Sequence, residues 1–137
     1  MYALEPKIVA RLAQALPDAQ VVGWSEDTSR KVPANKVLVV VRLDDTPVNT
    51  SNQKAASIGA AWSVALAARR GSGSVDLLDG AFDASFQALH DWAPEPVRGR
   101  PWDYLHYRRA SPMPEQDDGV FGVVMFFETA AIYRSGN

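Results

Sequence analysis

The chain contains no cysteine. That excludes disulfides, thiolate metal sites and cysteine nucleophiles, and it suits a reducing compartment. Histidine is scarce: only His90 and His106 are present, one expected at a helix end and the other in a strand. No H-x-x-x-H pattern or His-carboxylate spacing joins them, so neither a metal site nor a histidine general base is expected. No apolar run approaches the ~18 residues of a membrane helix. The opening MYALEPKIV lacks the basic segment and apolar run of a secretory signal, which leaves Asn49-Thr50-Ser51 as a coincidental glycosylation match. Charge of one sign is lacking as well, since 14 Lys and Arg against 16 Asp and Glu leave a net −2, a balance that points to no polyanion partner. No serine sits in a nucleophile elbow. The Gly71-Ser72-Gly73-Ser74 break lies beside Arg69 and Arg70 where phosphate loops occur, but it has neither the lysine nor the spacing of one. Glu26 and Asp27 beside Arg30 and Lys31 read as a solvated charged loop rather than an acid/base cluster. No cofactor is expected.

What is present is enough for one self-supporting domain. The chain has 137 residues, 47% hydrophobic and 22% charged. A chain of that size buries about two-thirds of its unfolded surface, so a core is feasible without staples. The charge is unevenly distributed. Residues 1 to 74 carry nine Lys or Arg and six Asp or Glu, while residues 75 to 137 carry five and ten. Such a split favours head-to-tail contact between identical subunits, although scatter over a solvated surface accounts for it equally well.

The organising stretch is KAASIGAAWSVALAARR, Lys54 to Arg70. Every second residue from Ala56 to Ala68 is apolar and includes Ile58, Trp62, Val64 and Leu66, the period of a strand with one buried face. The rival is an alanine-rich helix. Ser57, Gly59 and Ser63 favour the strand, because they weaken a helix and fall together on one side of a strand. About 12 residues at ~3.3 Å each span some 40 Å, far beyond the usual five or six residues. Such a strand is expected to carry more β-edge than its own domain shelters, and the surplus to meet another chain.

In chain order, Leu4 to Leu16 has a helical stripe of Ile8, Val9, Leu12, Ala15 and Leu16, with Pro6 in the first turn and Pro17 closing it. A short strand is expected at Gln20 to Trp24, then a polar loop from Ser25 to Asn35. Lys36 to Leu43 reads as a strand apolar on both faces. After the turn at Asp44 to Pro47, Val48 to Asn52 reads as a polar tip. Asp76 to Asp91 is a second helix, with Leu77, Leu78, Ala81, Phe82, Phe86 and Leu89 at helical spacing and Asp76 and Asp79 in its first turn. A proline-rich connector, Trp92 to Pro101, precedes an aromatic strand at Trp102 to Arg109. Its aromatic and basic residues are better explained by packing than by base stacking. Ala110 to Gly119 reads as an acidic loop and Val120 to Arg134 as a final strand apolar on both faces. The order α-β-β-β-α-β-β gives an α+β fold, a mostly antiparallel sheet with two helices on one face.

On these residues the chain resembles the tail terminator, or tail completion, proteins of long-tailed bacteriophages. The resemblance runs over nearly the whole chain. It rests on the initial helix with L-x-x-A-L-P, the VLVVVRL strand, the long W-S-V-A-L-A strand, the helix ending L-H-D-W-A-P and the terminal GVFGVVMFFET strand. It implies a non-enzymatic structural virion protein, made in the bacterial host cytoplasm and carried in the virion tail. Such a protein forms a homo-oligomeric ring, usually a hexamer, that caps the tail tube, stops its polymerisation and offers a surface for head joining. The implied partners are further copies of itself, the tail tube protein and the head-tail connector protein. DNA passes through such a ring without sequence recognition, and no membrane is involved. The resemblance transfers no family site residue. From the residues themselves, subunit contacts are expected at Ile58, Trp62, Val64, Arg69, Arg70, Tyr133 and Arg134. Tube or head contacts are expected in loops at Glu26, Asp27, Arg30, Lys31, Asn49, Asn52, Glu115, Asp117 and Asp118. The alternatives are a head-tail joining or minor tail protein of related fold, and a small ligand-binding or enzyme α+β domain.

Overall fold

The period of two prevails over the alanine-rich helix: Ala55–Arg69 is a single strand of 15 residues. The structure, a computed structural model, describes residues 1–26, 31–114 and 119–136. Its elements in order are α1 (Leu4–Ala15), β1 (Gln20–Gly23), β2 (Leu38–Asp45), β3 (Val48–Ser51), β4 (Ala55–Arg69), α2 (Ser74–Leu89), β5 (His106–Pro112) and β6 (Val120–Arg134). The α+β expectation stands, with one strand more than expected. The sheet runs β1-β2-β4-β6-β5, and β3 joins it through β4. Every pairing is antiparallel except β1 with β2.

The expected surplus of edge on β4 is not there. One side of the strand is paired with β6 along its whole length, from Ala55↔Arg134 to Arg69↔Val120. The other side meets β2 over Ala61 to Ala67 and β3 over Ala56 to Ile58. The polar tip at Val48 to Asn52 is therefore a strand in its own right. All four β3 residues are exposed, so backbone pairing rather than side-chain burial holds it, and hydrophobic periodicity gives no sign of it. The turn behind it is closed by Asn52, whose Oδ1 accepts from the Lys54 and Ala55 amides at 3.0 and 2.9 Å.

Both helices pack on one face of the sheet, and the alternation of each strand decides which residues they cover. Val39 and Val41 of β2, Trp62, Val64 and Leu66 of β4, and Met125 and Phe127 of β6 are fully buried in one cluster with Leu4, Ile8 and Leu12 of α1 and Leu89 of α2. Burying each of the larger side chains contributes about 1.5 to 3 kcal/mol of transfer free energy. Proline sets the start and end of α1: Pro6 lies in the first turn and Pro17 follows its last residues. Gly73, at φ 80, precedes α2. The Ser74 hydroxyl donates to the Gly71 carbonyl at 2.8 Å and locks the turn. At the far end His90 is extended and Asp91 has φ 61, so the helix stops two residues before the expected Asp91.

The strand expected at Trp102 to Arg109 begins instead at His106 and runs on to Pro112. Trp102 and Leu105 are buried, at 5% and 0% exposure, but they reach the core from the connector. The connector lies along β6: the Asp103 amide donates to the Ala130 carbonyl at 2.9 Å, and the Thr129 hydroxyl donates to the Asp103 carbonyl at 2.6 Å.

Candidate assembly surface

The residues of β2, β4 and β6 that point away from the helices form a second surface. Leu38 with Ala67, Val40 with Ala65, and Arg42 with Ser63 are register partners across β2 and β4. Ala65 in turn faces Val124 and Ser63 faces Phe126 across β4 and β6. One end of this face is covered by a small apolar cluster in which Val32 and Met113 pack on Leu38, Ala67 and Val120. The Arg69 Nε donates to the Val32 carbonyl at 2.8 Å and fastens that cover. Beside it the face remains open as a concavity of about 420 Å³, with Val40, Ala65, Val124 and Phe126 on its floor and Trp24, Lys31 and Arg42 on its rim. An apolar floor with a polar rim is the composition of a protein contact surface rather than of a solvated sheet face.

Cations gather on this face. The Arg42 guanidinium lies 4.7 Å from the centroid of the Trp24 ring, and that of Arg109 lies 4.0 Å from that of Phe126. Stacking of this kind holds a flat guanidinium against apolar surface while its edge stays available to a carboxylate. Lys31 adds a third cation, against Asp44 as the one carboxylate among the described lining residues. Glu128 on the same face is paired with Arg108 at 2.9 Å.

The residues expected at subunit contacts do not gather there as a set. Trp62 and Val64 are at 0% exposure in the core beneath the helices, so they have no surface to offer a second chain. The strand period that singled them out marks the buried face of β4. Ile58 is half-buried near the β3 end of the sheet. Arg70 is exposed with its guanidinium 5.8 Å from the Phe121 ring. Tyr133 lies beneath Arg100, at 3.7 Å, and against Trp102, at 6.2 Å between ring centroids. Arg134 is exposed at the end of β6. Of the residues expected in loops, Glu26, Lys31, Asn49 and Asn52 are exposed, with Asn49 in β3 rather than in a loop. Asp27, Arg30, Glu115, Asp117 and Asp118 lie outside the described residues.

Two polar groupings escaped the sequence. Glu5 is 1% exposed, and it accepts from the Ser25 hydroxyl and from the Ser25 amide at 3.3 Å to its Oε2. Gly23 permits this, because a Cβ there would lie 2.5 Å from the carboxylate Oε2. Nothing in the spacing of Glu5 and Ser25, 20 residues apart, announces the pair. The second grouping corrects the reading that no carboxylate joins the histidines. Asp91 lies between them, with Oδ2 3.6 Å from His90 Nε2 and Oδ1 3.6 Å from His106 Nδ1. His90 Nδ1 accepts the Tyr107 amide proton at 3.1 Å, which places the proton of the neutral ring on Nε2. These contacts are longer than hydrogen bonds, and the Asp91 side chain is 70% exposed. The cluster ties the end of α2 to the start of β5 rather than enclosing a substrate. Among the described residues no group of three or more His, Asp or Glu is placed to hold a metal ion, and no helix is long and apolar enough to cross a membrane.

No known protein-family profile matches the chain, and no curated protein matches it in sequence. Among solved structures, it is similar in fold to a chain of a particle described as the virion of a native gene transfer agent (GTA) particle. The superposition covers 89% of this chain and 84% of that one, with a TM-score of 0.60 and 17% sequence identity. At that identity the two chains share a fold. The agreement extends over nearly all of both.

Proposed function

We propose that this chain is a structural protein of a phage-like virion that assembles into a ring on the upper end of the tail tube. There it ends tube growth and presents a surface to the head-tail connector. The observation that carries this reading is the near-complete fold match to a chain of a gene transfer agent virion. The resemblance of the sequence to tail terminator proteins supplies the position within the particle. An apolar, cation-rimmed sheet face outside the core gives a non-catalytic protein a means of contact. The action is steric: a contact repeated head to tail around an axis closes at a fixed number of subunits, expected to be six, and a closed ring cannot extend a tube. Tube and connector contacts fall to Glu26 and to the exposed end of the sheet at Asn49 of β3 and Asn52 in the turn behind it, with DNA passing through the ring without sequence recognition. Localisation follows as the virion tail, after synthesis in the host cytoplasm.

The test is polymerisation of purified tail tube protein on a length-controlled initiator, followed by electron microscopy with and without this chain. The expected result is tubes arrested at one length with an annulus at one end. Tubes that grow unchanged while the chain binds purified head-tail connector instead would move it to the joining role.

A further inference from the structure

From the charge and shape of the two sides of the molecule, we propose that subunits join by seating the outer face of α2 from one copy in the helix-free sheet concavity of the next. The inference rests on the ring reading above and names the contact that would close it. α2 carries Asp76, Asp79 and Asp83 and no lysine or arginine. Their spacing of three and four places them on one stripe of the helix, and all three are exposed. Val75 and Leu77 flank the stripe and are 61% and 40% exposed, which sets apolar surface beside the carboxylates. The concavity on the opposite side of the sheet presents the complement, an apolar floor at Val124 and Phe126 beneath the cationic Lys31, Arg42 and Arg109.

Geometry decides between a pair and a ring. α2 packs on one face of the sheet and the concavity opens on the other, so the two patches point away from each other on the same molecule. Two copies can make one such contact and still leave an acidic helix and a basic concavity unused. The contact is therefore heterologous, and it forms a ring where the rotation between successive copies closes. Charge complementarity fixes the partner as a second copy of this chain, because the acidic stripe on α2 answers the cations of the concavity.

The experiment uses two charge-reversed forms of the full chain. The first is Arg42→Glu with Arg109→Glu, and the second is Asp79→Lys with Asp83→Lys. All four residues are exposed, so unchanged circular dichroism is expected, with the arginine form melting lower only by the roughly two- to fivefold in folding equilibrium of each lost stack on Trp24 and Phe126, and Arg42→Gln with Arg109→Gln serves if that form melts earlier still. Sedimentation velocity at matched concentrations is expected to show the parent as a closed oligomer. Each variant alone should associate about a hundredfold more weakly, since like charges are then opposed. An equimolar mixture should recover association in an alternating ring, because each reversed patch then meets its opposite. Variants that assemble like the parent would overturn the contact and leave the ring reading standing. A parent that stays monomeric at high concentration and fails to arrest tubes removes both. Addition of labelled single- or double-stranded DNA provides the remaining arm: DNA binding lost in the arginine variant, with self-association intact, would assign the cationic face to nucleic acid and overturn the proposal.

Discussion

Gly122 offers a sharp test of how the two longest strands are held. It pairs with Ala67 of β4, and its carbonyl accepts the Met113 amide at 2.9 Å. A Cβ added there would fall far inside contact distance of the Leu66 carbonyl oxygen, 2.8 Å from the Met113 sulfur and 3.0 Å from Ala67 Cα. Normal carbon contacts lie at ~3.5 to 4.0 Å. The sulfur can move aside, but the two backbone atoms belong to a strand paired at every position and can yield only by displacing β4 from β6. Overpacking typically costs about 1 to 3 kcal/mol, with more where backbone must shift. Gly122→Ala is therefore expected to lose ~3 kcal/mol, which lowers Tm by roughly 10 °C in a domain of this size. Gly80→Ala is the control, since nothing lies within 4 Å of its added Cβ and alanine is favoured over glycine inside a helix by about 0.5 to 1 kcal/mol. Thermal melts of the two proteins should move in opposite directions. A Gly122→Ala protein melting within about 2 °C of the parent would show that the strands are not held at this separation.

The connector provides two further tests. Thr129→Val keeps the shape of a side chain only 4% exposed but removes the hydroxyl that donates to the Asp103 carbonyl. A loss of ~1 kcal/mol is expected, with faster amide exchange at Asp103 and no change at β2; unchanged exchange at Asp103 would mean that this bond does not hold the connector. Arg100→Ala removes the guanidinium stacked 3.7 Å over Tyr133 and should cost about 0.5 to 1 kcal/mol by urea melting. Arg100→Lys should recover only part of it, because an ammonium lacks the planar stack, so full recovery by lysine would refute stacking as the cause.

The parts of the fold that were legible in the sequence are those where side chains are sorted by burial. β4 announces itself by alternation, and β2 and β6 by apolar residues on both faces, because the helices cover one face and the Val32–Met113 cluster covers part of the other. β3 shows nothing, since its four residues are all exposed and its ladder bonds are indifferent to side-chain type. The error at β5 has the opposite cause. Trp102 and Leu105 look like strand residues because they are buried, yet burial is reached equally well from a connector held by Thr129. Glu5 with Ser25 and Asp91 with two histidines were hidden for a third reason: both depend on where the backbone brings distant residues, and Asp91 needs a left-handed turn at φ 61 that its sequence does not specify.

The expectation of a free edge failed at the long strand, and the reason bears on how the proposed ring would be joined. A strand of 15 residues need not expose ladder groups if the chain supplies partners for both sides, and here β6, β2 and β3 supply them. Association through β4 by strand addition would require one of those partners to leave, at the cost of a row of backbone hydrogen bonds. Contact through faces requires nothing to unfold. The face turned from the helices already has an apolar floor and stacked arginines, while the acidic helix lies on the other side of the same sheet. Part of the uneven charge along the sequence reappears, once folded, as a difference between these two patches. α2 comes from the acidic second half, whereas Lys31 and Arg42 come from the basic first half. An acidic stripe on α2 and a cationic concavity across the sheet from it favour stacking in one direction, as a head-to-tail ring requires.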